Sequence, residues 1–222
     1  MEINLKTIDE FFDRVQLVVS HILRFSIFLA LGYFLLKGNW ELAFLCFVGG
    51  SLSFLPAMIE RNYKIMLPLE LEFLFAVFIY GSIFLGEVFG YYNKFWWWDI
   101  FLHSLASIIL GIIGFVILYV LQAQKLLKAN FFVIVMFSFC FAVALGAVWE
   151  LFEYFMDSAF GFNMMKEGLV DTMQDLISDC LGALLVSVLG YFYLRHRDAW
   201  MIKEMVVKFV KENPQLISKK RK

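Results

Sequence analysis

Six stretches of this chain stay apolar for about twenty residues at a time, the length that crosses a bilayer core as a helix. They run over about 16–36, 40–59, 66–88, 97–121, 131–155 and 171–194, with ends good to about two to four residues. In lipid, the backbone N–H and C=O groups of such a stretch find no water, so each must form its hydrogen bonds within itself. The expected fold is therefore an all-α polytopic membrane protein with six transmembrane helices. Composition agrees: 62% of residues are hydrophobic, where a soluble domain is nearer half. There is no internal repeat, low-complexity tract or second domain. We expect one transmembrane domain over residues 1–195 and a separate tail over 196–222. The partner is the lipid bilayer, and no nucleic-acid partner is expected. Oligomeric state is not legible.

The first fifteen residues lack a basic leading region and a short apolar core with a small-residue cleavage site, so no removed signal peptide is expected. Thr7 and Glu10 fit a capping box for a short surface helix carrying Phe11 and Phe12. Cys46, Cys140 and Cys180 all fall inside apolar runs, which suits buried packing thiols and no disulfide framework.

Six spans put both termini on one side. With a cytoplasmic N-terminus, fifteen lysines and arginines fall on the inner side, nine of them from Arg195 onward. Lys37, Lys94 and Lys166 fall outside, and Arg24 lies within a span. The positive-inside rule thus favours both termini in the cytoplasm. In the tail, Ile202, Met205, Val206 and Phe209 recur at helical spacing behind Trp200, with Lys203, Lys208 and Lys211 interleaved. That pattern predicts an interfacial amphipathic helix ending at Pro214, followed by a basic run, or else a solvated tail that only sets topology.

Acidic residues interrupt the fourth to sixth spans. Asp99 and His103 stand at i, i+4 after the interfacial tryptophans Trp96, Trp97 and Trp98. Ala106, Leu110 and Gly114 continue that stripe. Glu150, Glu153 and Asp157 share one helix face with Gly146, and Asp171, Asp175 and Asp179 step by four. The predicted topology brings all three sets to the outer side. Asp179 lies about 12 Å deeper than Asp171 at about 1.5 Å of rise per residue. Gly146 and Gly182, near Ala142 and Ala183, would let the helices approach closely.

Each residue has a plainer reading. Asp99 and Asp171 could cap helices. His103 could be an interhelical hydrogen bonder. Asp157 and Glu167 could be solvated. Glu150, Glu153, Asp175 and Asp179 resist this, because they sit within spans, where acids are costly without a partner or a task. Seven carboxylates so placed cannot all be ionised at low dielectric. Either several carry protons or a cation neutralises them. Oxygen ligands with one imidazole suit Mg²⁺, Mn²⁺, Ca²⁺ or, with fewer ligands, Zn²⁺.

At these residues the chain resembles the YjdF-like family of bacterial inner-membrane proteins, itself similar to the broader VanZ-like group. The likeness covers roughly residues 95–195. It rests on D-x-x-x-H (Asp99, His103) with the small-residue stretch to Gly111 and on W-E-x-x-E (Trp149, Glu150, Glu153). The third piece is D-T-x-x-D-x-x-x-D-x-x-G (Asp171, Thr172, Asp175, Asp179, Gly182). VanZ-like proteins tend to carry glutamine and asparagine where this chain has Glu153 and Asp179, so the acids favour the YjdF-like form. The resemblance to the YjdF-like family implies the inner membrane as its location, and that to the VanZ-like group a cell-envelope role.

Whether the protein is an enzyme is open at this point. The leading expectation is an outward-facing carboxylate and histidine pocket acting on an envelope lipid or lipid-linked headgroup. A divalent metal would sit on Glu150, Glu153, Asp171 and Asp175 and polarise a phosphate or activate water. His103, oriented by Asp99, would be the general base or a further ligand. Asp157 and Asp179 complete the pocket. The alternatives are a cation- or proton-coupled transporter, using the carboxylates as a relay, and a non-catalytic membrane scaffold.

Overall fold

In a computed structural model of the protein, which describes residues 5–161, 163–166, 168–196 and 200–216, the chain is all-helical. Among the described residues, six helical stretches are long and apolar enough to cross a membrane: Phe11–Leu36, Trp40–Tyr63, Leu69–Val88, Trp98–Ala123, Phe131–Phe160 and Leu169–Arg195. The chain divides into two compact units, Met1–Trp98 and Asp99–Lys222.

The first unit holds α1 (Leu5–Leu36), α2 (Trp40–Leu52), α3 (Leu55–Tyr63), α4 (Leu69–Ile79) and the short α5 (Tyr91–Lys94). Among the described residues there is no separate short surface helix: Phe11 and Phe12 belong to the unbroken α1, both exposed. The side chains of Thr7 and Glu10 lie outside the described residues. Asn39 caps α2 by accepting from Leu42 N–H at 3.2 Å. The second span bends between α2 and α3, where Pro56 enters the first turn of α3 and removes a donor. The third span passes from α4 into a π-helix over Tyr80–Val88. The core of the unit is Ile27, Cys46 and Phe84, with Ala30, Leu31, Phe34, Tyr80, Leu85 and Val88 packed around it.

Trp98 departs from the expected interfacial belt. Trp96 and Trp97 are exposed, but Trp98 is buried and its indole N–H donates to the Gly81 carbonyl at 3.2 Å. An indole N–H taken out of water needs such a partner.

The second unit is built on α6 (Trp98–Ala123), α7 (Phe131–Phe160) and α8 (Leu169–His196), followed by α9 (Trp200–Glu212). Asn130 caps α7 by accepting from Val133 N–H at 2.9 Å, and Gly161 ends it with φ 71°, a left-handed turn that suits glycine. Small residues and hydroxyls hold the helices together. Ser138 on α7 donates to the Gly111 carbonyl on α6 at 2.7 Å, and Ser187 on α8 donates to the Val135 carbonyl on α7 at 3.2 Å. Gly182 lies against Ser104 and Ser107 of α6, and Gly190 against Phe115.

Helix α9 carries its amphipathic pattern into the protein: Met205, Val206 and Phe209 are buried. The side chains of Trp200, Ile202 and Lys203, and the basic residues 219–222, lie outside the described residues. Of the three thiols, all free, Cys46 is buried and Cys180 partly so, but Cys140 is exposed on α7. That corrects the expectation of three packing thiols. On a membrane helix an exposed thiol faces lipid as a small hydrophobe, so an apolar run does not by itself imply burial in protein.

Candidate functional site

The buried side of α7 is a single ladder: Ile134, Ser138, Ala142, Gly146, Glu150 and Glu153. Its repeat of four or three residues keeps one face inward over more than five turns, so apolar, small and acidic residues share one stripe. On α8 the buried set is Asp175, Ser178, Asp179, Gly182, Ala183, Val186, Ser187, Gly190 and Tyr193. The two faces meet at a glycine. A Cβ on Gly146 would collide with the Asp179 carboxylate, so glycine is the residue that admits this acid.

His103 of α6 stands at the centre of four carboxylates. Its Nε2 is 3.9 Å from Asp99 Oδ1, 3.8 Å from Glu150 Oε1 and 4.0 Å from Asp175 Oδ2. On the other side of the ring, Nδ1 is 3.5 Å from Asp179 Oδ2. One ligand atom from each of Asp99, His103 and Asp175 lies within 4.8 Å of the other two, the spacing at which three groups could hold one ion.

Exposure falls steadily inward: the side chain of Asp99 is 21% exposed, His103 9%, Glu150 5%, Asp175 3% and Asp179 2%. The cluster therefore has a mouth at Asp99 and a floor at Asp179. The floor is tight, because Gly146 and Gly182 bring α7 and α6 up against α8 on either side of it.

Glu150 is the anomaly. Both carboxylate oxygens are buried and neither makes a hydrogen bond. Thr172 neighbours it, but the Thr172 hydroxyl is equally without a well-formed hydrogen bond. A buried carboxylate left in this state is costly, and native interiors seldom tolerate it without an occupant.

The remaining acids are placed as follows. Glu153 accepts from the Trp149 indole N–H at 2.9 Å. Asp171 sits in the first turn of α8, within electrostatic reach of Glu150 and Asp175. Asp157 accepts from Met164 N–H at 2.8 Å and from Met165 N–H at 2.9 Å, and so holds the start of the connection to α8. The side chain of Glu167 lies outside the described residues.

One neighbour was not among the expected site residues. Lys166 Nζ donates to Asp99 Oδ2 at 2.7 Å. In the sequence it counted only as an outer-side charge. A lysine in the short loop between two acidic helices is a signal for a counter-charge at their mouth.

The profile of a family described as "Predicted membrane protein (DUF2238)" matches residues 18–196 of the chain. A Thermotoga maritima protein described as uncharacterized is 27% identical over 187 residues, covering 82% of this chain and 87% of that one. No solved structure matches the chain.

Proposed function

The chain belongs to the DUF2238 family of predicted membrane proteins, and we propose that its second unit carries a divalent-cation site that acts on a lipid headgroup. His103 Nε2, Asp99 and Asp175 are the primary ligands in this reading, and Glu150 completes the set. Asp179 takes the second ring nitrogen and orients the imidazole, the usual arrangement for a ligating histidine. The observation that carries it is Glu150: a buried carboxylate with no well-formed hydrogen bond to either oxygen, one of them 3.8 Å from His103 Nε2. Ligands around one ion at about 2.1 Å would stand about 3.4 Å apart. The separations of 3.8 to 4.0 Å at Nε2, with the ligand atoms of Asp99, His103 and Asp175 within 4.8 Å of one another, would contract on binding.

A cation so held would polarise an oxygen of the headgroup, with Glu153 and Asp171 as the wider acidic surround. The charge asymmetry of lysine and arginine supports a mouth facing outward and both termini cytoplasmic, and the YjdF-like resemblance supports an inner-membrane location. The YjdF-like resemblance belongs to this reading. It does not rest on the VanZ-like one. A second reading, cation- or proton-coupled transport, is favoured by the depth of Asp179, the least exposed acid of the cluster.

Titration of the purified protein with Mn²⁺, together with elemental analysis, tests the site. We expect one saturable binding event that weakens as pH falls, because protons compete for the ligands. Glu150→Gln with Asp175→Asn should abolish it and leave the protein folded. No binding and no retained metal would mean that protons alone neutralise the cluster. Orientation is tested separately: Met165→Cys should react with an impermeant thiol reagent on intact cells, and Ser218→Cys should not.

A further inference from the structure

We infer that Lys166 is an anion anchor, and that the group handled at the mouth of the site carries a phosphate oxyanion. This rests on the cation reading above and adds the class of ligand. Asp99 uses its two oxygens differently: Oδ1 faces His103 Nε2 at 3.9 Å, and Oδ2 takes the Lys166 ammonium at 2.7 Å. Lys166 is thus bonded to the outer side of a ligand and does not occupy the centre. Its side chain is 27% exposed, so it borders the mouth where any headgroup must enter.

The lysine does not depend on Asp99 alone for its place. The two residues before it, Met164 and Met165, donate their backbone N–H groups to the two oxygens of Asp157, at 2.8 and 2.9 Å. That clamp fixes the chain at the base of Lys166. A cation that drew Asp99 inward would leave the ammonium beside the mouth, held there by that clamp.

The acids around His103 repel an anion. A cation at the centre and an ammonium at the rim together reverse that for one group that reaches both. A phosphate fits this demand, because its oxygens can bridge the metal and a lysine, and lysine serves as a point charge for phosphate. A neutral sugar or a cationic headgroup would gain nothing from Lys166. The same chemistry is offered by a phospholipid headgroup and by free phosphate, so the test separates them.

The experiment uses the full-length protein loaded with Mn²⁺ and follows ³¹P relaxation of submillimolar inorganic phosphate, in detergent, as it approaches the bound ion. We expect phosphate binding to require Mn²⁺. Lys166→Met should weaken phosphate binding about tenfold, the scale of one lost charge-assisted hydrogen bond, with Mn²⁺ binding retained. Lys166→Arg should restore most of it. In a parallel arm, nanodiscs of phosphatidic acid are compared with nanodiscs of phosphatidylcholine. Tighter Mn²⁺ binding in phosphatidic acid, lost in Lys166→Met, identifies the lipid as the source. Phosphate binding in detergent with no lipid effect identifies the free ion. The inference is overturned if Lys166→Met binds phosphate as well as the wild type, or if it loses Mn²⁺ as well, which would make the lysine a structural tie. It is overturned with the cation reading intact if the wild type binds Mn²⁺ but no phosphate in either arm. Absence of Mn²⁺ binding defeats the cation reading itself.

Discussion

The two units are built from the same material and fill their centres in opposite ways. The first closes on Ile27, Cys46 and Phe84. The second closes, at one end, on His103, Glu150, Asp175 and Asp179. Hydroxyls differ in part: Ser104, Ser107 and Ser178 of the second unit donate to their own helix, at 2.8, 3.0 and 2.9 Å, but the bonds between helices described above are also in that unit. Ser26, Ser53 and Ser82 of the first unit donate to carbonyls three residues back in the chain, at 2.8, 2.6 and 3.4 Å. Ser138 and Ser187 of the second donate to a neighbouring helix. In lipid there is little hydrophobic gain from helix association, so packing and hydrogen bonds do the joining. The first unit thus packs an apolar core, with buried polar atoms of Gln16, Ser20 and Arg24 outside it, whereas the second has a polar cluster whose stability depends on what neutralises it.

The sharpest way to break this contrast is to remove one central residue from each unit. Phe84→Ala should destabilise the protein by about 3–5 kcal/mol, as large-to-small changes at buried aromatics do, while Mn²⁺ stoichiometry stays the same. Glu150→Leu should do the reverse. Four carboxylates surround one imidazole, so removing one of them relieves like-charge repulsion and should leave stability unchanged or raised, and it should eliminate the cation. Chemical denaturation of both variants with and without Mn²⁺ decides it. If Glu150→Leu is the more destabilising of the two in the absence of metal, the acid is structural and the contrast fails.

A pair of glycines tests packing. Gly146→Leu must displace Asp179 and should cost about 3 kcal/mol. Gly32 of α1 has nothing within 4 Å of its place for a Cβ, so Gly32→Leu should stay within about 1 kcal/mol of wild type, on the favourable side. Thermal unfolding measured in one detergent compares them directly, and equal effects would remove the claim that the second unit alone is tightly seated on its acid.

The smallest expected difference is between serines. Ser138→Ala loses a bond between helices and should cost about 0.6 kcal/mol, the average for such bonds in membrane proteins. Ser53→Ala loses only a bond to its own helix at Gly50 and should be close to neutral, which paired unfolding curves can resolve. A larger loss at Ser53 would mean that the first unit also relies on its hydroxyls.

The six spans were legible because a bilayer imposes length and apolarity on each segment independently of its neighbours. The acid stripes were legible for a related reason: helical periodicity is local, so Glu150 and Glu153, or Asp175 and Asp179, share a face whatever they meet. What surrounds each span is not local, and that is where expectations and structure part. Trp98 turned inward to the Gly81 carbonyl, Cys140 outward, and α1 ran through the point where a separate surface helix was expected.

Which acids meet which nitrogen of His103 was decided by tertiary structure alone. Asp99 is one turn away on the same helix, but Glu150, Asp175 and Asp179 arrive from α7 and α8 at heights set by where the glycines let those helices close. The same holds for Lys166, whose reach to Asp99 depends on the backbone clamp at Asp157. Spacing along a chain states which side chains share a face. The depth and rotation at which two faces meet are set by contacts between residues far apart in sequence, and periodicity carries no record of them.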